Sequence, residues 1–179
     1  MALDTSFLQP AVTAILDLDR SGDRLLPLEC KTPSSAQAVQ RLESADAAAL
    51  FPGARSPQGG LAGLWLYFSC FEQAHSVAQE LLTAEGSYWH AIVHRQEPDD
   101  GNSGYWFRRV GAHPVFPELL EGAVALGYRP ASAAWDPFAF IEFCAAARKQ
   151  PGGATEQVAR EVQRLEWQLL FAWCARVRR

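Results

Sequence analysis

The 179 residues are half hydrophobic (49%) and one-fifth charged, a globular balance with ample core material for one ordinary domain. A net charge of −4 and a pI near 5.6 argue against whole-domain binding to nucleic acid or to an anionic membrane. The longest apolar run, Leu61–Phe68, is far shorter than the roughly 20 residues of a membrane span.

Gly and Pro divide the chain into helical pieces. Residues 8–19 carry Leu8, Val12, Ile15 and Leu16 at helical spacing and stop at Ser21-Gly22. An Ala-rich stretch from about Ser34 to Leu50 reads as a weaker helix that Ser34 or Ser35 caps. FPGARSPQGG (51–60) is the clearest loop. The strongest predicted helix runs from Leu61 to Leu82, striped by Leu64, Phe68, Phe71, Val77 or Ala78, and Leu82. The next runs from Gly86 to Glu97 and ends because Pro98 disfavours helical geometry at the residue before it.

Asp99-Asp100-Gly101-Asn102 reads as a turn, with Asn102 or Ser103 capping a short helix that ends at Arg109 and Gly111. Residues 117–126 form one more helix, closed by Gly127. Asp136-Pro137 is a strong start signal, placing a capping carboxylate before Pro in the first turn, and FAFIEFC follows. After Pro151-Gly152-Gly153, a last helix over 155–177 carries Val158, Val162, Leu165, Leu169 and Trp173 on one face. Its basic end, Arg176, Arg178 and Arg179, reads as complementing the helix dipole. No segment alternates with period two over a strand's length. The expected fold is an all-α, single-domain bundle of about six or seven helices over residues 1–179, packed around the 61–82 and 155–177 helices.

Cysteines 30, 70, 144 and 174 show no CxxC pair, and the last three sit among aromatic or aliphatic neighbours, the habitat of buried free thiols. MALDTSFLQP lacks the basic region of a secretory signal, so the cytoplasm is the expected location.

All four histidines fall between residues 75 and 113. His90 and His94 stand four apart on a predicted helix with Glu97 three further on, which stacks the three on one face. Two imidazoles at that spacing can chelate one divalent transition metal, and Glu97 is a candidate third ligand. Glu72 and His75 share a face of the preceding helix and His113 follows the next one, so all three are candidate completions. The pattern departs from established metal motifs. The zinc-protease motif needs Glu immediately after the first His, where this chain has Ala91. A di-iron carboxylate bundle needs two Glu-x-x-His motifs, and Glu72-x-x-His75 is one.

Glu97 in a last helical turn opposes the macrodipole and requires compensation, from a metal or from Arg95, Arg108 or Arg109. Those arginines, interleaved with Trp89, Tyr105 and Trp106, are also a candidate anion site: guanidinium forks grip carboxylate or phosphate, and the rings offer flat apolar walls. Asp99 and Asp100 nearby point instead to internal neutralisation.

The stretch 88–116, YWHAIVHRQEPDDGNSGYWFRRVGAHPVF, resembles an uncharacterised protein family of bacteria and fungi with the signature WHxxxHRxExD…N…YWFRRVGxHP. The match covers about thirty residues strongly, and DPFAFIEFC and the Glu-Trp of the last helix are compatible with it. The resemblance implies that this segment is the family's hallmark and transfers no catalytic role.

Three functional expectations follow. The first is a metal- or small-molecule-binding helical domain, extending to a metal-dependent hydrolase or oxygenase built on His90, His94 and Glu97. The second is a non-catalytic module that holds a small anionic ligand or a partner's acidic segment through Arg95, Arg108 and Arg109. The third is a structural polar cluster. No nucleophile elbow, phosphate loop or dinucleotide fingerprint is present. Nucleic acid and membrane are not expected partners, and a homo-oligomer is left open.

Overall fold

A computed structural model describes residues 3–29 and 31–177. Among these the fold is all-α, with ten α-helices: α1 (Pro10–Leu16), α2 (Ala36–Glu43), α3 (Ala47–Leu50), α4 (Pro57–Tyr67), α5 (Phe71–Glu80), α6 (Ala84–Gln96), α7 (Asp100–Val110), α8 (Phe116–Ala125), α9 (Pro137–Arg148) and α10 (Ala154–Ala175). Their number exceeds the expected six or seven: the sequence marks eight helical stretches, and two of these are each divided. The only bridge in the described residues is an isolated antiparallel one between Ala54 and Val177.

The 61–82 helix breaks between Phe68 and Cys70. Ser69 takes a left-handed φ of 59°, and the Cys70 N–H turns back to Trp65 O at 2.9 Å. The chain re-enters as α5, which ends at Glu80, so Leu82, expected on the buried stripe, is 91% exposed in the connection to α6. The 34–50 stretch divides because Asp46 caps a second short helix by accepting from Ala49 N at 2.8 Å. Part of the expected 51–60 loop is helix: Ser56 caps α4 through Gly59 N, with Pro57 following in the first turn. The cap of α7 is Asp99, which accepts from Asn102 N, not Asn102 or Ser103. Asp136 caps α9 as its sequence predicts.

Residues Gly86–Gln96 of α6 are all buried, so this helix lies at the centre together with α4 and α10. Its apolar and polar side chains are enclosed alike, by α4, α5, α7 and the face of α10. Close approach is possible because Gly63 on α4 leaves room for Trp89 of α6 and Phe171 of α10. Trp167 Nε1 donates to Gly63 O at 2.8 Å across the same contact. A smaller apolar cluster, with Leu119, Trp135, Phe140, Cys144 and Val162, joins α8 and α9 to α10, and Phe116 and Leu169 pack against both clusters. Cys70, Cys144 and Cys174 are buried free thiols, and Cys30 lies outside the described residues. Arg176 terminates α10 in extended conformation, with Asp4 at 3.6 Å, so it does not sit in the last turn as expected; Arg178 and Arg179 lie outside the described residues. Among the described residues, no helix is long and apolar enough to cross a membrane.

Candidate metal centre

The packing of α5 on α6 brings His75 against His90 and His94. One ligand nitrogen from each of the three lies within 4.8 Å of the others, and among the described residues this is the group of His, Cys, Asp and Glu side chains close enough to share an ion. His90 Nε2 and His75 Nε2 are 2.8 Å apart. The rings of His90 and His94 stack at 4.8 Å, as their i, i+4 spacing dictates, and His75 meets both edge-on. His90 is 2% exposed, whereas His75 is half-buried and forms the cluster's approach from solvent. Burial, reinforced by His75 and His94, lowers the His90 pKa to about 4, so its ring is neutral at physiological pH.

Trp106 of α7 stacks on His90 at 4.0 Å and closes the cluster from that side. The helix–helix contact that sets this stack is reinforced by Ser103, whose hydroxyl donates to Ala91 O at 2.8 Å. The His90 Nδ1 atom is buried without a hydrogen-bond partner among the described residues. Glu97 terminates α6, and its Oε2 lies 3.0 Å from His94 Nδ1, off the axis of a good hydrogen bond. This imidazole, not an arginine, is the group beside the Glu97 carboxylate. Glu97 touches one histidine and does not join the three-nitrogen cluster.

The other expected ligands are elsewhere. Glu72 is exposed on α5 and stays outside the cluster. His113, after α7, packs among Tyr88, Phe116 and Trp173; its Nδ1 accepts from Val115 N at 3.3 Å, and burial lowers its pKa.

The expected arginine cluster is not assembled. Arg95 has no exposed surface and forms a bidentate ion pair with Glu166 of α10, with Nη1 3.3 Å from Oε1 and Nη2 bonded to Oε2. Gln163 Oε1 accepts from the same Nη2 at 3.3 Å, and the Tyr88 hydroxyl donates to Glu166 Oε1 at 3.1 Å. Burial opposes the Arg95 charge, but Glu166 outweighs it and raises the guanidinium pKa. Arg95 is therefore occupied internally, and the fully buried Trp89 is not a wall of any exposed anion site. Tyr105 is about half exposed, with Arg109 6.0 Å from its ring and 5.3 Å from that of Trp106. Arg108 lies instead over Phe138 of α9, at 5.7 Å. Asp100 pairs with Arg148 at 3.0 Å and not with either of these arginines.

Two participants were missed at the level of sequence. The sequence reading makes Trp106 a wall of the anion site, whereas its ring lies over His90. Glu166 had a signal: a carboxylate inside the apolar stretch RLEWQLLF of α10 requires a buried partner. Comparison of the chain with family models, with curated proteins and with solved structures finds no match.

Proposed function

We propose that this protein is a metal-binding helical domain in which His75, His90 and His94 hold one divalent transition ion. The observation that carries the reading is the convergence of three imidazole nitrogens, within 4.8 Å of one another, from two helices. Zinc–nitrogen bonds of roughly 2.0–2.1 Å put nitrogens around a tetrahedral ion about 3.4 Å apart. The His75–His90 pair, at 2.8 Å, has to open by less than about 1 Å, within reach of small side-chain rotations. Imidazole ligation suits zinc, copper, iron or nickel.

Glu97 fits a supporting role in this arrangement. A ligating histidine commonly directs its second ring nitrogen to a carboxylate or carbonyl, and Glu97 stands beside His94 Nδ1, leaving Nε2 for the ion. His90 Nδ1 lacks such a partner, and Trp106 fixes that ring by stacking instead. Three protein nitrogens leave a fourth position for water or substrate, where an ion polarises a bound oxygen or lowers the pKa of bound water. Arg109, exposed over Trp106, is the cation placed to hold an anionic part of such a substrate.

A second reading has its own observation. A separation of 2.8 Å is a hydrogen-bond distance, so a neutral His75–His90 pair sharing one proton would cross-link α5 to α6 without any ion. Titration with cobalt(II) separates the two. The metal reading expects one equivalent to bind with the intense visible bands of four-coordinate cobalt, lost in His75→Ala and shifted by added azide at the open position. Spectra no different from cobalt in buffer would leave the hydrogen-bonded pair as the correct account.

A further inference from the structure

Away from the histidines, α7, α8, α9 and the segment before α9 enclose a cleft of about 710 Å³, within the range of small-molecule sites. Its walls are Phe107, Phe116, Leu120, Trp135 and Phe138. The polar side chains among its lining residues are Arg108, His113 and Trp135, and no acid is among them. Arg108 makes neither an ion pair nor a hydrogen bond among the described residues; its guanidinium lies 5.7 Å from the Phe138 ring. The Trp135 indole N–H and His113 Nε2 are buried and have no hydrogen-bond partner there either. Because His113 Nδ1 already accepts from Val115 N, a neutral ring carries its proton on Nε2 and is a donor. Among the described residues, the side chains that line the cleft thus bring one free cation, Arg108, and no acid, while the Trp135 and His113 N–H groups are buried within its walls.

Helix dipoles at the cleft are offset by side chains. The first turn of α8, at Phe116 and Pro117, borders the cleft and carries Glu118, which offsets its positive end. The negative end of α7 is offset by Arg108 itself, which stands in its last turn.

We infer that this cleft binds a small amphipathic carboxylate, its acid group on Arg108 and its apolar body between Phe107, Phe116, Leu120 and Trp135. A neutral apolar molecule leaves Arg108 without a counter-charge, and an amine meets it with repulsion. The inference is independent of the metal centre, because α7 directs Trp106 to the histidines and Phe107 and Arg108 to the cleft.

Calorimetric titration of the full chain with octanoate, 1-octanol and octylamine, each below its aggregation concentration, tests it. Octanoate is expected to saturate at one per chain, octylamine not to bind, and Arg108→Gln to weaken octanoate about tenfold or more, the loss of one charge-assisted contact, while leaving octanol unchanged. Leu120→Trp, which fills the cleft, is expected to remove octanoate binding with the helical circular dichroism retained. His75→Ala is expected to bind octanoate as the wild type does, whatever it does to metal. Absence of saturable octanoate binding, octylamine binding of equal strength, or an Arg108→Gln protein with unaltered octanoate affinity would overturn the assignment.

Discussion

Arg95 and Glu166 form an ion pair in which neither side chain has any exposed surface, tying the central helix α6 to α10. Tyr88 and Gln163 occupy further positions on the same pair, so its charges are both matched and hydrogen-bonded. The pair is a lock between two helices, and it takes Arg95 out of any role in binding an external anion.

Removing one partner strands the other charge in the core. Arg95→Ala is expected to cost about 3–5 kcal/mol in urea unfolding, whereas Arg95→Met with Glu166→Leu recovers most of the loss. Tyr88→Phe removes one hydrogen bond and is expected to cost about 1–2 kcal/mol. An Arg95→Ala protein of wild-type stability would contradict the ion pair's place in the core.

The contact among α4, α6 and α10 depends on a missing side chain. A Cβ at position 63 would stand 2.9 Å from Trp89 Cζ2 and 3.0 Å from Phe171 Cδ2. Both neighbours are themselves fully buried and have little room to retreat. Gly63→Ala is expected to destabilise the fold by about 1–3 kcal/mol, measured by thermal or urea unfolding.

Acid sensitivity follows from the buried imidazoles. In the metal-free fold, burial lowers the His90 pKa to about 4 and also lowers that of His113. An unfolded histidine takes its proton near pH 6.5, so between about 6.5 and 4 the unfolded chain binds more protons than the folded one. Stability is therefore complete above the unfolded pKa and falls as pH drops through this window, by at most about 1.4 kcal/mol per pH unit for each histidine. Urea unfolding of chelator-treated protein at several pH values is expected to show this slope, reduced in His90→Gln. A slope of opposite sign, or one indifferent to His90→Gln, would contradict the burial argument.

The thiols are expected to be inert in the folded state. Burial pushes the Cys70 pKa up to about 11 and that of Cys144 to about 12, and raises Cys174 further. Thiolate is then scarce at neutral pH, and native protein is expected to leave these three unreacted with a disulfide reagent while denatured protein exposes all of them. Rapid reaction of Cys144→Ser-sensitive thiol in the native state would contradict it.

Helix identity was legible wherever a local signal operated: Asp136-Pro137 starts α9, Gly111 ends α7, and Pro98 follows the end of α6. The division at Ser69 was not, because an apolar run reads equally as one helix or as two that share a core. The histidine cluster was half legible. The i, i+4 geometry of His90 and His94 follows from spacing alone, but the choice of third member depends on how α5 crosses α6, which placed His75 there and left Glu72 exposed and His113 on another face. Charge proximity along the chain misled for Arg95: its partner is Glu166, a helix of the far C-terminal half, and not the adjacent Asp99 or Asp100. The cleft was invisible in sequence because its walls come from four separate segments.

The central claim is tested most directly by elemental analysis of protein purified without chelator and without a histidine tag, repeated after zinc loading and gel filtration. A three-histidine centre predicts close to one transition-metal ion per chain in the wild type. It predicts none retained in His75→Ala, His90→Ala or His94→Ala proteins whose circular dichroism is unchanged, because a chelate loses most of its affinity with any one arm. Wild-type protein that emerges from gel filtration without bound metal, or a His75→Ala protein that keeps a full equivalent, would contradict the claim.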